Sequence, residues 1–176
     1  MKKLLLILLL LLISKISFAL SKAETEELIN ESIKTYFEPN GQKRRLSDIE
    51  GIWKSEEGIF IEVIVDQSKD NQGKEFKLYT LKSFCHPRDF LEGTVTKINS
   101  NTYEGTLLSS CSGTAPNWKY FENPHRLILS SPNELINGRI KKDYVIEHKL
   151  TKIYPSEKSI KGALRKKPKV IPTDQT

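Results

Sequence analysis

The sequence predicts a mainly β protein, an antiparallel meander of short strands that closes into a small barrel of seven or eight strands. Apolar and polar residues alternate with a period of two through much of residues 58–154. Tight turns separate these runs, as at Asn99-Ser100-Asn101. An open meander would leave two unprotected edges, which closure removes. A two-sheet sandwich is the alternative, because periodicity does not distinguish the two folds.

The first residues are typical of an export signal. Two lysines precede an unbroken apolar run over residues 4–13, and Ser17-Phe18-Ala19 offers small side chains to a signal peptidase. A membrane-spanning helix needs roughly 20 apolar residues, about twice this run. We therefore expect residues 1–19 to be a cleaved signal peptide, with residues 21–23 as a second cleavage site. The mature protein is then secreted or periplasmic.

The charge balance does not indicate a nucleic-acid partner. The chain of 176 residues suits one domain with appendages. Removing the three lysines of the leader from the 28 basic residues leaves 25 against 22 acidic residues, so the net charge falls from +6 to +3. Much of this mild excess lies in the C-terminal tail. No nucleic acid is expected as a partner of an exported protein.

An amphipathic helix is predicted ahead of the barrel. Ser21 and Glu24 have the spacing of a capping box, and Glu38-Pro39-Asn40-Gly41 ends the helix. The apolar stripe comprises Leu28, Ile29, Ile33, Tyr36 and Phe37. Residues 20–48 are thus assigned to this helix and a basic connector, and the helix is expected to lie against the barrel.

The barrel domain is assigned to residues 49–155. The predicted strands are 58–66, 75–83, 91–98, 102–109, 126–130, 135–140 and 144–154. Gly113, Pro116 and Pro124 interrupt residues 110–125, which are expected to form a long loop with at most a short strand at 118–121.

A short helix and a basic disordered tail are predicted for residues 156–176. Pro155-Ser156-Glu157 caps the helix, and Ile160, Ala163 and Leu164 form its apolar face. The lysines and arginines that follow would be weakly attracted to an anionic lipid or polymer surface. A solvated tail that aids solubility is the alternative.

The two cysteines predict one disulfide. Cys85 and Cys111 are the whole cysteine content, and an exported chain meets an oxidising environment. In a meander, successive loops alternate between the two ends of the sheet, so the loops after 75–83 and after 102–109 lie at one end. Those strand ends are roughly 10 Å apart, which loops can close to disulfide distance.

Aromatic and titratable residues gather at this same end, to which we also assign Trp53. The candidate ligand-binding residues are Trp53, Phe84, His86, Arg88, Trp118, Tyr120, His125 and Arg126. The alternative is that these rings cap the core and cover the disulfide.

No catalytic or metal centre is predicted. His86 and His125 with Asp89 or Glu122 match no metal-binding spacing, so no metal or other cofactor is expected. The serines around Cys111 lack the glycine of a nucleophile elbow. His148 alternates with Leu150 and is expected to face inward as a hydrogen-bonded core histidine.

Gly51-Ile52-Trp53, the export signal, the meander and a helix after the last strand resemble the lipocalin-like barrels of the calycin group. In that family the tryptophan plugs the closed end of the barrel and an arginine late in the final strand packs across it. This chain has Lys149 and Lys152 in that region. The resemblance implies binding of a small apolar or amphipathic molecule and no catalysis.

The expected function is therefore that of an exported, non-enzymatic binding module for a small apolar or amphipathic ligand. The alternative is an envelope interaction protein that contacts another protein or an anionic polymer through its aromatic loop end or its basic tail. The sequence leaves the oligomeric state open.

Overall fold

The chain folds into a closed antiparallel β-barrel of eight strands. A computed structural model describes residues 22–66, 73–113 and 116–156. Each strand pairs with its neighbour in sequence, and the first strand pairs with the last. The strands are β1 (Gly51–Ser55), β2 (Ile61–Val65), β3 (Glu75–Lys82), β4 (Phe90–Lys97), β5 (Thr102–Ser112), β6 (Lys119–Ser131), β7 (Glu134–Ile140) and β8 (Val145–Tyr154). The predicted meander barrel is confirmed, and the two-sheet sandwich is not the fold.

Two strands differ from the prediction. Gly51-Ile52-Trp53 opens a strand of its own, β1, which pairs with both β2 and β8. The prediction of a long loop over residues 110–125 is wrong, because β5 and β6 remain paired as far as Ser112 and Lys119. Pro124 is tolerated in β6 because the pairing with β7 begins one residue later, so β6 has a single neighbour there.

The predicted N-terminal helix is confirmed. Helix α1 (Lys22–Ser32) continues into a π-helical turn (Ile33–Phe37) and ends at a short turn over Pro39–Gly41. Its apolar stripe packs on the outer face of the first three strands, in a cluster comprising Leu28, Phe37, Ile52, Ile61, Val63, Val65 and Leu81. Strand β2 is consequently buried on both faces, which explains its nearly continuous apolar sequence.

The predicted signal peptide, the C-terminal helix and the basic tail lie outside the described residues. No helix within the described ranges is both long and apolar enough to cross a membrane.

Consecutive loops alternate between the two ends of the barrel. We call the disulfide end the one that carries the β1–β2, β3–β4, β5–β6 and β7–β8 connections. The closed end carries the other connections and the entry to β1. The predicted disulfide joins Cys85 to Cys111 at the disulfide end, with their Cα atoms 6.4 Å apart.

Trp53 lies at the closed end, so its predicted place beside the disulfide is wrong. The prediction did not recognise β1 as a separate strand. Because β1 is antiparallel to β2, the start of β1 lies at the end opposite to the start of β2. The Trp53 side chain is fully buried, its Nε1 donates to the carbonyl of Ile49 at 2.9 Å, and Nζ of Lys152 lies 4.6 Å from the ring centroid. Burial lowers the pKa of Lys152 to about 8, an effect that Asp48 and Glu50 oppose. The Lys152 ammonium also donates to the Asp48 carbonyl.

The interior of the barrel at the closed end is densely packed with apolar side chains. The cluster comprises Ile49, Trp53, Ile64, Phe76, Leu78, Val95, Tyr103, Leu107, Leu127, Leu135 and Leu150. The Phe76 and Tyr103 rings meet edge to face with centroids 5.4 Å apart. This half of the barrel is a filled core.

Candidate functional site

The barrel encloses a cavity of about 180 Å³ at the disulfide end. The lining residues are Ile59, Phe60, Glu62, Ser83, Cys85, His86, Glu92, Ser109, His125, Asn137, Arg139 and His148. They come from strands on every side of the barrel and from the β1–β2 and β3–β4 loops.

Strand periodicity explains why this half of the interior is polar. Inward-facing residues recur at every second position, and a step of two residues from the apolar cluster towards the disulfide end replaces an apolar side chain with a polar one. The pairs are Ile64 and Glu62, Leu107 and Ser109, Leu127 and His125, Leu135 and Asn137, and Leu150 and His148. The interior therefore divides into an apolar layer and a polar layer.

A hydrogen-bonded chain runs along one wall of the cavity. The His125 ring lies between Ser109 Oγ, 2.6 Å from Nε2, and Asn137 Oδ1, 2.6 Å from Nδ1. Because an amide oxygen only accepts, Nδ1 donates to Asn137 and Nε2 accepts from the Ser109 hydroxyl. The Asn123 amide in turn donates to Ser109 Oγ at 3.3 Å and Lys141 donates to Asn123 Oδ1.

The His125 imidazole is neutral at physiological pH. Burial lowers its pKa to about 4, the hydrogen bond with Asn137 opposes this, and the positive groups of Arg139 and Lys141 lower it further, as does His148. The residue types of Ser109, His125 and Asn137 match those of hydrolytic triads, with an amide where a carboxylate usually stands. A neutral amide stabilises the imidazolium that such catalysis forms less than a carboxylate does, and so weakly basic a ring is a poor general base near neutral pH.

The opposite wall carries two buried carboxyl groups. Burial raises the pKa of Glu62 well above its usual value, the charge of Glu92 adds to this, and a hydrogen bond from Asn137 opposes it. Burial likewise raises the pKa of Glu92 to about 7, against a hydrogen bond from the Thr80 hydroxyl. The cost of burying two neighbouring negative charges is the physical cause of both shifts.

His86 belongs to the same wall. Its Nδ1 is 4.0 Å from Oε1 of Glu92, a distance compatible with an ion pair. Burial, however, lowers the pKa of His86, with a backbone hydrogen bond at Leu108 opposing the change. Because the pKa of Glu92 moves the opposite way, burial disfavours the charged forms of both groups and therefore opposes an ion pair between them.

The cavity holds the buried polar atoms that lack partners. Within the described ranges, four buried side-chain atoms have no hydrogen-bond partner in the protein: Glu62 Oε2, His86 Nε2, Arg139 Nε and His148 Nδ1. All four belong to residues that line the cavity. Buried polar atoms are almost always hydrogen-bonded, so these four atoms are available to a hydrogen-bonding molecule inside the cavity.

Exposed apolar side chains cluster at the disulfide end of the barrel. In the part of the chain that the structure describes, seven large apolar residues are exposed. Six are in or next to the connections at the disulfide end: Ile59, Phe84, Leu91, Phe121, Tyr144 and Val145. We call these six residues the rim. The seventh, Ile98, is at the closed end.

Five of the predicted site residues meet at the disulfide end. His86 and His125 line the cavity itself. Phe84 is 61% exposed at this end, and its ring centroid is 5.7 Å from that of Trp118. Tyr120 donates from its hydroxyl to the Cys85 carbonyl at 3.2 Å and packs against His86.

Three predicted site residues do not join this group. Trp53 is at the closed end, for the reason given above. Arg88 turns towards helix α1, where it binds Glu31 at 2.8 Å. Arg126 is exposed because it alternates with the inward His125, and it binds Glu104 at 2.7 Å.

The sequence prediction missed most of the polar layer, namely Glu62, Glu92, Ser109, Asn137 and Arg139. The missed signal was a polar residue at an inward position of a strand, next to an apolar residue two positions away. His148 does face inward as predicted, but its Nδ1 has no hydrogen-bond partner in the described protein, against the expectation.

Within the described ranges, no three histidine, cysteine or acidic side chains form an arrangement that could hold a metal ion. Asp89, one of the residues considered as a ligand, instead accepts a hydrogen bond from the Tyr36 hydroxyl at 2.9 Å. Glu122, the other, is exposed.

The fold and this site define a small closed antiparallel β-barrel with a filled apolar half and a polar internal cavity. No family model matches the chain, and no curated protein or solved structure is significantly similar to it.

Proposed function

We propose that this protein is a non-enzymatic binding module for a small amphipathic molecule. The polar end of the ligand enters the cavity, and its apolar part lies against the rim. The observation that carries the proposal is that every unpartnered buried side-chain atom in the described ranges lines this one cavity.

The size and polarity of the cavity restrict the ligand. An apolar cavity of about 150 Å³ accommodates benzene, so about 180 Å³ suits a polar group slightly larger than that. A purely apolar ligand is disfavoured, because it would leave Glu62 Oε2 and Arg139 Nε without hydrogen bonds.

The contact between Lys152 and Trp53 supports a lipocalin-like architecture. A cation late in the final strand packs across the tryptophan at the closed end, with lysine in the place of the family's arginine. The replacement of the family's arginine by lysine therefore preserves a contact between a cation and the tryptophan ring.

The disulfide supports an exported location. Cys85 and Cys111 are bonded to each other, as is usual in oxidising compartments and rare in the cytosol. Secretion or a periplasmic location is part of the proposal.

Native mass spectrometry of the protein purified from its own compartment tests the proposal. We expect a small molecule to co-purify with the wild type. The amount bound per protein should be at least tenfold lower in His148→Phe. This change removes the unpartnered Nδ1 and adds bulk beside Phe60, whose ring meets His148 edge to face. Ile98→Phe, at the closed end, is the control and should retain the ligand.

The proposal fails if the wild type carries no small molecule and none from a metabolite extract binds to it. Equal occupancy in the wild type and His148→Phe would place the ligand outside the cavity.

An envelope interaction protein is the second candidate, and the exposed rim favours it. Phe84, Phe121 and Tyr144 are aromatic, as residues at protein interfaces often are. A photo-crosslinking residue at position 84, with one at position 98 as the control, separates the two proposals. One discrete protein adduct from position 84 alone would support the interaction protein.

A further inference from the structure

Acidic and basic side chains face each other across the cavity without forming an ion pair. In the closed order of strands, β2 to β4 and β6 to β8 occupy opposite sides of the barrel. Glu62 and Glu92 project from β2 and β4, whereas Arg139 projects from β7 beside His125 and His148. The cavity therefore has an acidic wall and a basic wall.

Neither wall forms an ion pair between a carboxylate and a lysine or arginine. Within the described ranges, no carboxylate lies within ion-pair distance of Arg139, and no lysine or arginine lies within that distance of Glu62 or Glu92. Other arginines do pair, as Arg126 does with Glu104. The atoms Glu62 Oε2 and Arg139 Nε are also buried without hydrogen-bond partners. An unpaired buried guanidinium is costly, and the same cost of burial raises the pKa values of Glu62 and Glu92, so a cation placed beside these carboxyl groups would stabilise their charged forms.

A ligand with one charge would compensate only one wall. An amine would bind the carboxylates and leave the Arg139 guanidinium unpaired, and a carboxylate would do the reverse. A molecule that carries an ammonium and a carboxylate compensates both at once. The planar guanidinium is suited to a carboxylate, with which it forms paired charge-assisted hydrogen bonds.

We propose that the ligand is a small zwitterion, an amino acid with an apolar side chain, whose ammonium group binds Glu62 and Glu92 and whose carboxylate binds Arg139. The apolar side chain then reaches the rim at Ile59 and Phe84. This inference rests on the proposed function, because it names the class of ligand for the same cavity.

Calorimetry with matched ligands tests the charge requirement. L-leucine, L-phenylalanine and L-methionine are each titrated at pH 7, beside the amine that lacks the carboxylate and the acid that lacks the ammonium group. We expect at least one amino acid to bind at least tenfold more tightly than both of its singly charged relatives.

Single substitutions then test which wall binds the ammonium group and which binds the carboxylate. Glu62→Gln and Arg139→Gln should each weaken amino-acid binding at least tenfold. Glu62→Gln should leave binding of the acid unchanged, and Arg139→Gln should leave binding of the amine unchanged. The exposed Glu57→Gln and Lys142→Gln, in loops at the same end, are the matched controls and should not change amino-acid binding. Glu92→Gln replaces Glu62→Gln if the latter does not fold, as judged by circular dichroism.

The outcomes separate this inference from the proposed function. An amine, an acid or the neutral N-acetyl-leucine amide that binds as tightly as the amino acid overturns the zwitterion and leaves the binding module. If none of these ligands binds while another small molecule co-purifies, the inference is again wrong and the function stands. If nothing binds and nothing co-purifies, both are wrong.

Discussion

Glu92 shows how one buried carboxyl couples the cavity to stability. Its pKa in the folded protein, about 7, is raised above the usual value of 4.5 because of burial. A carboxyl whose folded pKa is raised contributes stability that is fully present below pH 4.5. This contribution is lost as the pH rises through 7 and the folded protein must bury a negative charge.

Glu92→Gln should therefore stabilise the protein at pH 8 by about 1–3 kcal/mol, from 1.36 kcal/mol for each unit of pKa difference. At pH 4 the change should be small, because the glutamate is then protonated in both states. Glutamine keeps the shape and still accepts from the Thr80 hydroxyl. Urea unfolding at both pH values measures the effect, and Glu57→Gln is the control. A difference that does not depend on pH would contradict the prediction.

The polar layer shows how far single residues could be read from the sequence. Alternation correctly predicted that His148 faces inward. It did not single out Glu62, because both faces of β2 are buried and mostly apolar, so alternation did not tell which face is inward. The unpartnered state of these atoms is a property of three-dimensional packing, so it could not be derived from spacing along the chain.

Among the elements, helix α1 was predicted from the sequence and strand β1 was missed, and the burial of their faces explains both outcomes. The helix was recognisable because one of its faces is solvated, which leaves a helical period in the sequence. Strand β1 was not, because only Lys54 of its five residues is exposed, and a strand covered on both faces shows no alternation. Missing it misplaced Trp53, although the end of the barrel at which both cysteines lie was predicted correctly.

Closure of the barrel depends on glycine at the start of β1. Gly51 has a φ of +154°, and a Cβ at this position would lie 2.2 Å from the Tyr154 carbonyl oxygen of β8. Gly51→Ala should thus force β1 and β8 apart and lower the free energy of unfolding by about 2–4 kcal/mol, the sum of backbone strain and steric overlap.

Gly41→Ala is the matched control for this substitution. Gly41 also has a positive φ, +73°, but no atom lies within 4 Å of the added Cβ. This variant should lose only about 1 kcal/mol, the cost of the backbone conformation alone. Thermal and urea unfolding compare the two, and equal losses would show that contact with β8 is unimportant.

Across the whole molecule, the two tryptophans report on opposite ends. Trp53 is fully buried in the apolar half, whereas Trp118 is half-buried beside Phe84 at the disulfide end. In Trp118→Phe, the remaining fluorescence comes from Trp53 and should be blue-shifted relative to the unfolded chain. Its acrylamide quenching constant should be at least threefold lower than that of the unfolded chain. Efficient quenching of this variant would mean that the closed end is accessible to solvent.

The filled apolar half restricts the path by which a molecule can reach and leave the cavity. Within the described residues, the cavity lies at the disulfide end and the apolar cluster fills the interior towards the closed end, so the cavity does not continue through the barrel as a channel. A molecule bound as proposed would therefore enter and leave at the disulfide end. Substitutions around that entrance should then change the rates of arrival and departure together, while the resting occupancy stays under the control of the groups deeper inside.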